Sequence, residues 1–67
     1  MNIGAVHHIG YLVKDINKSV EVFRVLGYEI ETDVFFDSGR KSNFCFMKKE
    51  YTRIELVEPS TESDIYT

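Results

Sequence analysis

Two short segments near opposite ends of the chain each carry a residue able to bind a metal or move a proton. The first is Val6-His7-His8-Ile9-Gly10-Tyr11, and the second is Arg53-Ile54-Glu55-Leu56-Val57-Glu58-Pro59. A neutral imidazole ligates a divalent ion through a ring nitrogen. A carboxylate ligates it too, or takes and returns a proton. A catalytic metal needs about three or four protein ligands, so one such pair makes half a site. The remaining candidates suit plainer roles. Cys45 has no histidine at nucleophile–base spacing and reads as a small apolar core residue. Arg40, Lys41, Lys48 and Lys49 could meet an anionic substrate, but charges in and beside turns usually face water. Phe44 and Phe46 read as sheet packing.

The elements that position these residues follow from periodicity. Ala5 to Val13 is rich in β-branched and aromatic residues and reads as a strand. Asp15 stands where a helix N-cap belongs, and Ile16, Val20, Phe23 and Leu26 then recur at helical spacing. Gly27 follows as a residue able to take a left-handed conformation, so a helix is expected over 16–26. Tyr28, Ile30, Thr32, Val34 and Phe36 alternate with Glu29, Glu31 and Asp33, which predicts a strand with one buried face. Asp37-Ser38-Gly39-Arg40 is a turn with glycine where a positive φ is often needed. Ser42 to Lys48 and Tyr51 to Glu58 are the last two strands, with Lys49-Glu50 between them and Pro59 as the stop. The expected fold class is α+β: a single βαβββ module with a mixed sheet and one covering helix. Residues 1–59 form the module, and 60–67 form a polar, acidic tail or linker.

Alternation assigns faces. His7, Ile9, Tyr11 and Val13 share one face of the first strand, and His8, Gly10 and Leu12 the other. In the last strand Thr52, Ile54 and Leu56 oppose Arg53, Glu55 and Val57. The more apolar sets, with Ile9, Val13, Ile54 and Leu56, belong under the helix. His8 and Glu55 then share the open face if the two strands are neighbours. Arg53 shares it too, placed to pair with Glu55 or to bind a substrate carboxylate. His7 faces the other way and reads as structural or at an edge.

Composition narrows the partners. At 43% apolar and 28% charged, the 67 residues are of ordinary globular character and make one domain at most. A domain this small buries only about 60% of its unfolded surface, so a second copy or a longer chain is the natural complement. Net charge is −3 with no basic stripe, which argues against nucleic acid. Apolar runs such as Phe44-Cys45-Phe46-Met47 are too short for a bilayer, and residues 1–13 do not resemble a secretory signal. A lone cysteine fits a reducing compartment, and a cytoplasmic location is expected.

Three runs together resemble a known family: His8-Ile9-Gly10-Tyr11-Leu12-Val13-Lys14-Asp15-Ile16, Val22-Phe23-Arg24-Val25-Leu26-Gly27-Tyr28, and Ile54-Glu55-Leu56-Val57-Glu58-Pro59. They are similar to the first module of the vicinal oxygen chelate superfamily, which includes glyoxalase I, methylmalonyl-CoA epimerase, extradiol dioxygenases and bleomycin-type resistance proteins. The resemblance implies a module that pairs with a second one into a half-open barrel around a divalent ion (nickel, cobalt, zinc, iron or manganese). It implies His8 and Glu55 as metal ligands, with Glu55 also the candidate base. The implied reaction is isomerisation, epimerisation or a glyoxalase-type lyase step, by proton transfer beside a metal-bound carbonyl. The substrate is a small molecule, an acyl-CoA or a thiol adduct among the cases. Members usually carry both modules in one chain. A homodimer, or a second module in a longer protein, is therefore expected. The alternative is a metal-free ligand-binding module of the resistance type, marked by a deep apolar groove. A generic domain that dimerises through its open sheet face is the third reading.

Overall fold

The computed structural model describes residues 8–60, His8 by its backbone alone. The expected start of the first strand at Ala5, His7, and the tail from Thr61 onward lie outside the described residues. The elements run β1 (His8–Leu12), α1 (Ile16–Val25), β2 (Glu29–Asp37), β3 (Ser42–Lys49) and β4 (Thr52–Pro59). They form one mixed sheet of order β1-β4-β3-β2. β1 and β4 are parallel neighbours, and the other two pairs are antiparallel. The βαβββ expectation holds.

Helix α1 is set by its ends. Asp15 is extended, and its Oδ1 accepts from the Lys18 amide at 3.1 Å. The Ile16 amide, a second orphan donor, goes to Glu58 Oε2 of β4 at 3.1 Å. Glu58 Oε1 also accepts from Asn43 Nδ2 at 2.8 Å, so one carboxylate joins α1, β3 and β4. At the other end Gly27 takes φ +100°. The Gly27 and Tyr28 amides return to the Arg24 and Phe23 carbonyls, both at 2.9 Å, in a Schellman arrangement. Lys49 Nζ donates to the Leu26 carbonyl at 2.9 Å, bringing a cation to the negative end of the helix. The Lys49 stem lies 3.3 Å from where a Gly27 Cβ would sit, close enough that it would have to shift slightly, but it is the positive φ that calls for glycine here.

The core lies between α1 and the sheet. Ile16 and Val20 pack on Cys45, Met47, Ile54 and Leu56, with Val13, Phe23 and Tyr28 at the margin. Four expectations change. Leu26 is exposed, because it is the C-cap at ψ 1° and has left the helical stripe. Ile9 is in register with Ile54 but exposed, because β1 is a sheet edge that the helix only partly covers. β2 has no buried face: Ile30, Val34 and Phe36 are exposed, Phe36 by 57%. A single helix about 10 Å wide cannot roof four strands about 4.8 Å apart. Register shifts at Ile30/Thr32 and Thr32/Phe35 also bend β2. Finally, Pro59 does not stop β4 but ends it, opposite Ser42. The next amide, Ser60, donates to Lys41 O at 3.0 Å. Pro59 therefore occupies a position whose N–H would face away from β3, where its absence is tolerated.

Glu58→Ala leaves the Ile16 amide and the Asn43 side chain without their partner. It is expected to lower stability by about 1–3 kcal/mol in urea unfolding. Asp15→Ala, which removes a cap at an exposed helix end, is expected to cost about 1 kcal/mol. Equal or smaller loss in the Glu58 variant would show that the three-way tie carries no weight.

Candidate functional site

The site is the sheet face opposite the helix. Register brings its side chains together in rows. Lys48, Arg53 and the His8 position form one row across β3, β4 and β1; Phe46, Glu55 and Gly10 form the next, then Phe44, Val57 and Leu12. His8 is two residues before Gly10 in β1, so its position has Gly10's parity. Glu55 lies directly opposite Gly10. The Glu55 carboxylate leans over β1: its Oε1 is 3.8 Å from where a Gly10 Cβ would stand. The side chain of Glu55 is only 18% exposed. Glycine at position 10 leaves room beside this carboxylate that a longer side chain would fill.

Two guanidinium groups stand over aromatic rings on this face, and one of them, Arg40, lies beside the carboxylate. Arg40 Nη1 is 3.9 Å from Glu55 Oε2, a loose ion pair. Arg40 is held elsewhere: its Nε donates to Asp37 Oδ2 at 3.2 Å, and its Cζ lies 4.0 Å over the Phe44 ring centre. Asp37 Oδ1 meanwhile accepts from the Gly39 and Arg40 amides, closing the turn. The Arg40 amide hydrogen bond, helped by the Arg40 side chain and the Gly39 amide, holds the Asp37 carboxyl below its ordinary 3.8 although desolvation pushes it up. The left-handed residue of this turn is Lys41 at φ 52°, not Gly39. At Gly39 a Cβ would stand 3.3 Å from Asp37 Oδ1, close enough to press on the carboxylate that closes the turn.

Arg53 is not Glu55's partner, contrary to one expectation from alternation. Its Nε donates to Glu31 Oε1 of β2 at 2.9 Å, and its Cζ lies 5.7 Å from the Phe46 ring centre. Phe44 and Phe46 are in stacked contact with Phe35, centroids 5.8 and 6.3 Å away. Roofed by Phe35 and Arg40, Phe44 is only 2% exposed although it stands on the open face. Cys45 lies on the helix side in the core, its Sγ 3.3 Å from the Thr32 carbonyl. Burial pushes its thiol upward, and the Asp33 charge adds to this.

Among the described residues no group of three or more His, Cys, Asp or Glu side chains is gathered for a metal ion. Glu55 and the His8 position share one face beside the room over Gly10, and a carboxylate and an imidazole are donor types that a divalent ion accepts. Sequence reasoning did not foresee Arg40 beside Glu55, nor Glu58 as the tie to α1. The Asp37-to-Arg40 spacing signals a tight turn but not the face onto which its arginine folds.

A βαβββ module with one helix and a sheet face left bare defines a class, and comparison identifies it. The family model of the Glyoxalase/Bleomycin resistance protein/Dioxygenase superfamily matches residues 7–66. The chain belongs to that family, within the vicinal oxygen chelate superfamily. Among solved structures it resembles one described as the crystal structure of SMU.1112c, with TM-score 0.68 and 24% identity, over 98% of this chain and 50% of the other. That likeness concerns the fold. This chain spans about half the length of that structure. No curated protein matches it. Among the described residues no helix is long and apolar enough to cross a membrane.

Two measurements probe this environment. The folded protein is expected to resist iodoacetamide at neutral pH, with Cys45 labelling restored in urea; stoichiometric labelling of the folded chain would put Cys45 outside the core. The Asp37 contribution has a definite sign. A depressed folded-state value means its stabilisation is complete above pH 3.8 and is lost as pH falls through the lower folded value. The Asp37 carboxyl carbon, followed by NMR, should therefore titrate below 3.8, and Asp37→Asn should remove the acid-sensitive step in the Gly39 and Arg40 amide shifts. A midpoint at or above 3.8 contradicts the hydrogen-bonded turn.

Proposed function

We propose that this chain supplies half of a divalent-metal site for proton transfer next to a carbonyl, in the manner of an isomerase, epimerase or glyoxalase-type lyase. The observation that carries the reading is Glu55 leaning over Gly10 on the strand that holds His8, in a chain of this family. His8 and Glu55 would hold the ion, together with groups from a second module. A bound divalent ion supplies Lewis-acid polarisation of the carbonyl. The chain's own part is to orient and to move a proton. Glu55 Oε1, beside the room left by Gly10, takes a proton from the adjacent carbon and returns it. The Arg40 guanidinium keeps a positive charge near that carboxylate while it is ionised.

The second module comes from a second copy or from a longer protein. Its own carboxylate would be an equally good base. The half-length match and the small size of the module support a partner of this kind. A small carbonyl compound, an acyl-CoA or a thiol adduct among the cases, is the substrate class of this reading. The single cysteine supports a reducing compartment, and hence the cytoplasm.

One observation favours a metal-free, ligand-binding alternative. Glu55 already has a guanidinium beside it, and stacked rings line the same face. Calorimetric titration of the full chain with nickel, cobalt, zinc and manganese separates the two. The catalytic reading expects saturable binding, weakened at least about tenfold (about 1.4 kcal/mol) by either His8→Ala or Glu55→Gln. Absence of saturable binding, or full affinity in both variants, would sink it in favour of the alternative.

A further inference from the structure

The open face carries two arginines, and they are not equivalent. Arg40 is used up: Nε and Nη2 both lie 3.2 Å from Asp37 Oδ2, and Nη1 faces Glu55. Arg53 is engaged through Nε alone, on Glu31. Its terminal nitrogens make no hydrogen bond among the described residues, and its side chain is 47% exposed. A guanidinium pinned through Nε presents Nη1 and Nη2 as a fixed fork, the geometry that matches both oxygens of a carboxylate. Pinning matters because an arginine already held loses less rotamer freedom when an anion docks.

The surroundings of the fork point the same way. In register, Arg53 has Lys48 on one side and the His8 position on the other. That row lies one step along the face from the row of Phe46, Glu55 and Gly10. Two residues in a strand span about 6.5–7 Å. The cationic row and the Glu55 carboxylate are thus separated by roughly the length of a short acyl chain, and the Phe46 ring, opposite Glu55 in the next row, lies 5.7 Å from the Arg53 guanidinium. An anionic group at Arg53 would leave the apolar body of the ligand on the ring and its far end beside Glu55.

We propose that Arg53, oriented by Glu31, is the specificity residue that takes the carboxylate of a carboxylate-bearing substrate at this face. The inference deepens the metal-dependent reading by naming the substrate class. It involves no covalent step: the carboxylate docks on the Nη1–Nη2 edge and leaves with the product. Glu31 is a positioning residue, acting through Arg53 alone.

Benzoate is a suitable probe, with the uncharged benzamide as its matched control. Both are titrated into the full chain with EDTA present, following the arginine Nε–H and backbone amide signals by NMR. Because metal is excluded, failure of the metal reading leaves this result untouched, and the reverse also holds. The proposal expects saturable benzoate shifts at Arg53 and Phe46 and much weaker benzamide shifts. Arg53→Gln should lose benzoate binding at least tenfold, with Arg53→Lys in between because a lysine cannot form the fork. Glu31→Gln should weaken binding several-fold while the amide spectrum stays that of the folded chain. Equal shifts with benzamide, or undiminished benzoate affinity in folded Arg53→Gln, would overturn it. So would inorganic phosphate binding more tightly than benzoate at the same residues, since that would make the fork a general anion site. Full benzoate affinity in Glu31→Gln would remove the positioning role and with it the preorganised fork.

Discussion

The parallel pairing of β1 with β4 is the constraint on which everything else rests. It joins segments about forty residues apart and sets Gly10 opposite Glu55. Side chains alternate along a strand, so the same register that sends Ile54 and Leu56 under the helix must send Arg53, Glu55 and Val57 to the other face. A slip of one residue would expose the core pair and bury the charges. The cost of burying an unpaired carboxylate under the helix, added to the loss of two apolar side chains from the core, holds the register firmly. The chemistry of the open face is thus fixed by packing on the side away from it.

Helix α1 depends on the same pairing. Its first amide goes to Glu58, three residues beyond Glu55 on β4. Its last carbonyls are met by Lys49 at the end of β3 and by the turn at Gly27. The helix has only ten residues, too few to stand alone in water. Contacts from the sheet satisfy both of its ends and bury Ile16 and Val20. Helix and sheet therefore form together, and the acidic residues of β4 divide by parity: Glu58 ties the helix down while Glu55 faces the site.

Much of this was legible in the sequence because the signals are local. Asp15 and Gly27 are cap residues with stereochemical reasons, and alternation in β4 separates Ile54 and Leu56 from Arg53 and Glu55. The element order and the facing of Glu55 follow from such signals. What the sequence hid is non-local. Alternation in β2 suggested a buried face, but a strand at the sheet edge lies beyond the reach of one helix, and its register shifts break the simple pattern. Arg53 shares a face with Glu55, which offers it as that residue's partner or as a seat for a substrate carboxylate. Glu31, from a strand on the far side of β3, is the partner instead, and no periodicity announces that contact. Arg40 was a turn residue by sequence. Only the fold of the hairpin brings it back over Phe44 to within 3.9 Å of Glu55.

The open face also shows how a small sheet keeps charged and aromatic side chains in order. An apolar face of this kind would be a liability if it were bare. Here Phe35, Phe44 and Phe46 cover one another, and two guanidiniums lie over the rings with their charges balanced by Asp37 and Glu31. Glu55 sits among these groups with little exposure, beside a positive charge. Arg40 provides it, at a distance where the attraction is real but the hydrogen bond is not made. That looseness has a chemical meaning. A carboxylate gripped by a short bidentate pair would have to break two strong bonds before it could serve a cation or a proton. Arg40 is itself anchored on Asp37 and Phe44, so a turn of the Glu55 carboxylate toward a new partner leaves Arg40, Asp37 and the hairpin beneath them in place.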